Sequence, residues 1–505
     1  MPNEKTAVIR LNPNDNVVVA VAAIAPGTEI AAEKIEAKDS IPFGHKISTR
    51  LIKAGEPVRK YGQVIGVATE DIAPGRHVHV QNVAFSDLRS EAVRPQPFNR
   101  NERPRTFLGF KRDTGKVATR NYVGVLTSVN CSATVARHIA DAAEKSGLLD
   151  AFPNVDGIVP ITHHGGCGMA TKGEGYDLLT RTLWGTAANP NFGAVLLVGL
   201  GCEVIQLARF KQEYGIAESD RFQSFTIQDT GGTPRAIAEG LERLKAMLPA
   251  VNAAQRTEQP ASEIVVGLQC GGSDAWSGIT ANPALGNASD RLVALGGTVI
   301  LSETPEIYGA EHLLYTRAAT PDLVDTLRAR IKWWEHYTAI HGMEMNNNPS
   351  PGNKAGGLTT ILEKSLGAVA KAGTSLLVDV IEYAKPVARH GLVFMDSPGL
   401  DPCSATGQVA SGATMIAFTT GRGSAYGCKP SPSIKLATNS EIYRKMPDDM
   451  DVDCGTIATG QSTVEEKGEE ILDYLIKVAS GKKSKSEQLG YGDLEFVPWH
   501  IGAVM

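Results

Sequence analysis

Long apolar runs are missing from this chain: no stretch approaches the roughly 20 residues that a helix needs to cross a bilayer. The first residues, Met1-Pro2-Asn3-Glu4-Lys5, lack the apolar core of a signal peptide. A charge excess is missing too. The net charge of −5 excludes the basic character of a nucleic-acid or membrane-surface binder. Seven cysteines, an odd number at wide spacings in a long chain, argue against a disulfide framework. The absence of any Cys-x-x-Cys pair excludes a zinc ribbon or a thioredoxin-type motif. No phosphate-loop string Gly-x-x-x-x-Gly-Lys-Ser/Thr occurs, and Gly199-Leu200-Gly201 continues to Val204 where a dinucleotide fingerprint needs its third glycine. Nucleotide chemistry is thereby disfavoured. With free cysteines and no membrane segment, the expected location is cytoplasmic.

At 505 residues the chain should hold two to four domains. Its 52 glycines suit an α/β protein with many tight strand-to-loop transitions. Residues 1–88 read as a small all-β module, because short apolar runs alternate with three related turns around Pro26-Gly27, Ala54-Gly55 and Pro74-Gly75. Residues 89–105, rich in Arg and Pro, read as a linker. Strands then alternate with helical patterns over 106–250, with helices expected at Ser132–Lys145 and Pro234–Leu248. The polar stretch 251–262 reads as a second linker, and 263–505 as a further α/β region carrying the catalytic groups. The fold class is therefore α/β: a small β domain followed by two Rossmann-like regions with mainly parallel sheets.

Four cysteines follow β-like runs bounded by glycine. Cys131 comes after Val123–Asn130, Cys167 after Gly157–Ile161, Cys202 after Ala194–Gly201 and Cys270 after Glu263–Gln269. Open α/β sheets place ligands at the carboxyl ends of their strands, so these thiols are candidates for one shared site. His77 and His79 flank Val78, which puts both imidazoles on one face of a strand, where they can bind a metal or exchange protons. His45 lies in the same module. His163, in a glycine-rich strand-end loop before Cys167, is the better general acid/base candidate.

Asn348–Gly357 has almost no apolar content and reads as a loop, within which Lys354 could act as a base or carboxylate clamp. Arg422 sits between Gly421 and Gly423, where a guanidinium fork suits a carboxylate. Carboxylates at Glu203, Asp274, Glu303 and Glu306 complete the set. Thiolates, imidazoles, a clamp-like arginine and a loop lysine together suit metal-assisted chemistry on a small anionic, oxygen-rich substrate. Removal of a proton beside a carboxylate, followed by loss of a β-hydroxyl, is one such reaction.

Several long strings occur together and in order: Gly44-His45-Lys46, His163 to Cys167, Gly199-Leu200-Gly201-Cys202-Glu203, Cys270-Gly271-Gly272-Ser273-Asp274, Asn282-Pro283, the Asn348–Gly357 loop and Gly421-Arg422-Gly423. On these strings the chain resembles the altronate/galactarate dehydratase family over nearly its whole length. Its first module is similar to the SAF domain, an antifreeze-like β-clip. The resemblance implies dehydration of a sugar acid to a 2-keto-3-deoxy acid with an iron(II) requirement. His45, His163, Lys354 and Arg422 are then the expected catalytic residues, and His79, Glu203, Asp274 and Asn353 the expected substrate contacts. Cys131, Cys167, Cys202 and Cys270 are the expected iron ligands, and four thiolates would favour an iron–sulfur cluster. A homo-oligomer, a dimer, is expected. Strings such as His77-Val78-His79 are closer to the altronate branch, whereas Cys131 and Gly455–Gly460 are closer to the galactarate branch. Gly165 stands where an aromatic residue is expected, and Ala425 where a proline is. Related sulfolactate sulfo-lyases split the β module from the large subunit, so the fusion here argues against that alternative. A sugar-acid-binding metalloprotein without turnover is the other alternative.

Overall fold

A computed structural model describes residues 8–87 and 102–504. Most of the expected first linker lies outside the described residues. Short antiparallel strands build the N-terminal module. Val8–Ile9, Val17–Ala20, Lys46–Ser48 and His77–Val78 form one sheet, and Pro57–Lys60, Gln63–Ala68 and Val83–Ala84 another. Strands this short need a partner surface to be stable. Here Val17, Ile52, Val58 and Ile65 join the same buried cluster as Leu285 and Val299 of the C-terminal region. The module thus packs on its own chain, with Gln63–Ala68 against the helix Ile361–Ala370.

The middle region carries a four-stranded parallel sheet ordered Gly157–Ile161, Tyr122–Thr127, Phe192–Gly199, Phe222–Thr226. The C-terminal region carries seven parallel strands, with Val265–Cys270 flanked by Thr298–Leu301 on one side and Met415–Thr420 on the other. Such strands are buried on both faces and read as continuous apolar runs, as in the VVGLQC and MIAFTT segments, buried throughout except at the half-buried Val265. In each sheet the strand that comes first in the chain lies inside with later strands on both sides of it, and in the larger sheet Leu377–Ile381 takes the edge beyond Gly391–Met395. Each sheet therefore has a topological switch point.

Two expectations need correction. The stretch 251–262 is not a linker. It holds the end of the helix Thr233–Asn252 and the strand Arg256–Pro260, which pairs antiparallel with Thr106–Lys111. Its polar composition is that of an edge strand facing water, with the Arg256 guanidinium stacked over the Phe110 ring. The Asn348–Gly357 loop contains a short helix, Pro351–Ala355, closed by a capping box between Ser350 and Asn353.

Candidate active site

The site begins with a buried ionic joint between the β module and the C-terminal region. Lys46 and Lys60, both fully buried, reach the Glu363 carboxylate at 3.0 and 2.9 Å. Thr359 donates to the same carboxylate through its N–H and hydroxyl, and the Lys46 ammonium also donates to the Gly357 carbonyl at 2.6 Å. Although burial opposes its charge, the two ammoniums hold the Glu363 carboxyl far below its ordinary range. Burial drives Lys46 down to about 8 despite Glu363. Two cations against one anion leave a positive excess in the joint.

The histidines stand beside it. Lys46 pairs with Val78 across the sheet, and Ile47 with His77, so His45 and the His77–His79 hairpin share one edge. His45 Nδ1 lies 2.9 Å from His77 Nε2, and His45 Nε2 lies 3.3 Å from the Ala355 carbonyl. The three rings are 4.7 to 5.5 Å apart. Asn82 fixes the hairpin by accepting from the His79 N–H and donating to the His77 carbonyl. Burial first, then neighbouring positive charge including that of Lys46, pushes His77 down to about 4 and His79 to about 3, and lowers His45. All three are neutral near pH 7, the form in which imidazole binds metal. His79 Nδ1 is buried with no hydrogen-bond partner, and one nitrogen from each ring lies within 4.8 Å of the others. Neutral, converging nitrogens, that of His79 orphaned, fit a divalent transition metal such as iron(II).

Next to the triad is the switch-point crevice of the seven-stranded sheet. A small cavity of about 180 Å³ is lined by Phe43 of the module, Asp274, Ala355, Arg422, Asn439 and Lys445. Arg422 is exposed on its rim. Asp274 is buried and receives bonds from the Trp276 and Ser277 backbone, Ser277 Oγ, Thr438 Oγ1 and Asn439 Nδ2. It ties two strand ends together. Gly421 must be glycine here, since a Cβ would stand 2.1 Å from the Asp274 carboxyl carbon. Asn353 donates to the Ser273 carbonyl at 2.8 Å and accepts from Ser350, which holds the short helix over the same turn. The side chains of Asp274 and Asn353 are thus occupied in shaping the crevice rather than free for substrate. Lys354 follows Asn353, half-buried, one residue from the carbonyl that His45 touches.

On the other side of the Cys270–Asp274 turn lies a cavity of about 600 Å³, lined among others by Cys270, Glu306, Asn348, Lys364 and Asp401. Lys364 pairs with Glu306 at 2.6 Å and donates to Asn348. Burial, then the Glu306 charge, pushes Asp401 up to about 6. His77 was expected with His79 as a metal or proton ligand, whereas Glu363, Lys364 and Asp401 were not among the expected site residues. His77 had a signal in its same-face spacing with His79. The others meet their partners only through the fold.

The structure separates the remaining candidates from this crevice. Cys270 belongs to the seven-stranded sheet and is buried, 2.8 Å from Ser273 Oγ, whereas Cys131, Cys167 and Cys202 are exposed at the end of the four-stranded sheet. Four thiols at one site is therefore not what the fold provides. His163 is buried in the middle region, with Nε2 donating to the Thr127 carbonyl and Nδ1 accepting from the Gly165 N–H. Burial pushes it down to about 4. Both its nitrogens are engaged, so it braces a loop and has no free atom for proton transfer. The buried Glu203 carboxylate accepts from Ser128 Oγ and from the Leu200 and Gly201 N–H groups, closing its own turn instead of meeting substrate. At Gly165 the space of the expected aromatic is taken by His500 of the C-terminal tail, 2.5 Å from where a Cβ would be.

Three family models match the chain in succession. They describe an altronate/galactarate dehydratase SAF domain over residues 6–86, a D-galactarate dehydratase/altronate hydrolase second domain over 109–252, and a D-galactarate/altronate dehydratase C-terminal region over 261–504. The chain is 36% identical over 494 residues to the altronate dehydratase of Bacillus subtilis (strain 168), covering 96% of this chain and 97% of that protein. It is 38% identical over 502 residues to the galactarate dehydratase (L-threo-forming) of Escherichia coli (strain K12), covering 95% and 94%. It is 32% identical over 397 residues to the (2R)-sulfolactate sulfo-lyase subunit beta of Chromohalobacter salexigens, covering 77% of this chain and 96% of that subunit. With full-length similarity to the two dehydratases and all three domain models in order, the chain belongs to the altronate/galactarate dehydratase family of hydro-lyases.

Proposed function

We propose that this enzyme dehydrates an altronate- or galactarate-type sugar acid to a 2-keto-3-deoxy acid at the joint between the β module and the switch-point crevice. The carrying observation is the convergence of three neutral imidazoles, His45, His77 and His79, beside a polar cavity rimmed by Arg422. Iron(II) held by those imidazoles would supply a Lewis acid for carboxylate and hydroxyl oxygens. Arg422 takes the substrate carboxylate through its guanidinium fork. Lys354 removes the C2 proton, since His163 lies elsewhere with both nitrogens engaged. The same Nζ returns the proton to the departing C3 hydroxyl, so one water leaves and the enol tautomerises to the keto acid. The enzyme acts in the cytoplasm as a homodimer on this reading.

Incubating reduced, iron-loaded protein with altronate and with galactarate tests the reading. A 2-keto acid from either one is the expected product. Similarity to the sulfo-lyase subunit adds (2R)-sulfolactate to the panel, where sulfite release would assign the alternative activity. Thermal stabilisation by the sugar acids without any product would make the protein a binder and sink the dehydratase reading.

A further inference from the structure

We propose that Cys131, Cys167 and Cys202 form a three-thiolate site for a [4Fe–4S] cluster with its fourth iron open, separate from the histidine triad. All seven cysteines are free, and these three are the exposed ones. They follow three neighbouring strands of the four-stranded sheet: Tyr122–Thr127, Gly157–Ile161 and Phe192–Gly199. That is the switch point of this sheet, where open α/β folds bind ligands. The three loops are fastened to one another within two residues of each thiol. Asn130 N–H donates to the Gly165 carbonyl at 3.0 Å, and Val204 N–H to the Gly166 carbonyl at 3.0 Å. Asn130 Nδ2 also donates to the His163 carbonyl at 3.2 Å. The bracing by His163 and Glu203 described above serves these same loops.

The surroundings suit a cluster rather than a single ion. Among the described residues, the histidine triad is the group of three whose donor atoms gather tightly enough for one metal. Cys167 is flanked by Gly166 at φ +94 and Gly168 at φ +66, and Cys202 is preceded by Gly201 at φ +130. Left-handed glycines turn successive N–H groups into concavities that hold anions, iron–sulfur clusters included. Gln228 Nε2 lies 3.6 Å from Cys202 Sγ, a donor of the kind that tunes cluster sulfurs. Soft thiolates select iron–sulfur chemistry over the oxygen and imidazole preference of simple iron(II). None of the three lines the two cavities of the candidate active site.

The test is anaerobic reconstitution of the full chain with ferrous iron and sulfide, read by acid-labile sulfide, iron and visible absorption. About four sulfides per chain are expected, retained in Cys270→Ser and in His45→Ala/His77→Ala, and lost at least tenfold in Cys131→Ser/Cys167→Ser/Cys202→Ser. Should the triple variant misfold, each single serine variant is expected to lose at least half of the sulfide. No sulfide in the wild type, or full sulfide in the serine variants, overturns the proposal. The readout is independent of turnover. A cluster without keto-acid product removes only the dehydratase reading, and keto-acid product from a chain that takes up no sulfide on reconstitution removes only the cluster.

Discussion

At the end of Val265–Cys270 the polar groups are covered. At the end of Tyr122–Thr127 the thiols face water above a buried Glu203 and His163. Both places are switch points of parallel sheets, and both carry a cysteine, a glycine-rich turn and a carboxylate that closes the turn: Asp274 in one, Glu203 in the other. The difference is the β module. By packing on the seven-stranded sheet it buries Lys46, Lys60, Glu363 and His45 and shifts their proton affinities. Among the described residues the β module does not cover the end of the four-stranded sheet, and its three thiols are exposed while the groups beneath them are spent on backbone. Equivalent positions in two related sheets thus acquire different chemistry from what lies on top of them, dry acid–base and imidazole groups in one, open soft ligands in the other.

The sharpest way to break this comparison is to remove the base from one end and observe the other. Lys354→Met should lower kcat on the sugar acid by about 10²- to 10⁴-fold while leaving reconstituted sulfide unchanged. Equal activity would remove Lys354 from the reaction. The next largest effect falls on the cover itself. Glu363→Gln leaves two buried ammoniums without their carboxylate, a loss of about 3–5 kcal/mol. Urea unfolding would show it, and wild-type stability would mean that the joint tolerates two unpaired cations.

Much of this arrangement was legible because it is local. Apolar runs bounded by glycine mark the strands that end at the two switch points, and period-two spacing puts His77 and His79 on one face. What was illegible is nonlocal or depends on partners. Glu363 lies more than 300 residues from Lys46 and Lys60, and nothing near it in sequence announces the joint. Cys270 and Cys131 both stand at the carboxyl end of a β-like run, yet the two strands belong to different sheets. His163 and Glu203 have the right chemistry for catalysis, and only their hydrogen bonds show that it is used on the backbone. Arg256–Pro260 reads as a linker because an exposed edge strand has a linker's polarity.

Acid probes the middle region through His163. His163 is neutral when folded, and its affinity for protons is depressed to about 4. The unfolded imidazole, near 6.5, binds a proton that the folded one refuses. Its stabilising contribution is present above pH 6.5 and is lost as pH falls towards 4, on the order of 3 kcal/mol in total. The triad histidines act in the same direction, and His79 continues to about 3. In metal-free protein, His163→Gln should flatten the part of the acid slope that belongs to the middle region. Unfolding midpoints with identical pH dependence in wild type and variant would contradict the buried neutral imidazole.

The smallest effect compares how rigid the two turns are. In Gly421→Ala the new methyl meets the Asp274 carboxyl at 2.1 Å, and that carboxylate is pinned by bonds from Ser277, Thr438 and Asn439. Nothing there can yield cheaply, so about 1–3 kcal/mol should be lost, together with the placing of Arg422 one residue on. In Gly165→Ala the methyl meets the His500 ring at 2.5 Å, but His500 belongs to the C-terminal tail and its ring can swing aside. Less than about 1 kcal/mol should follow. Thermal unfolding of the two variants side by side measures the contrast. Equal losses would mean that the tail is held as firmly as the crevice, and that the open end of the four-stranded sheet has a cover of its own.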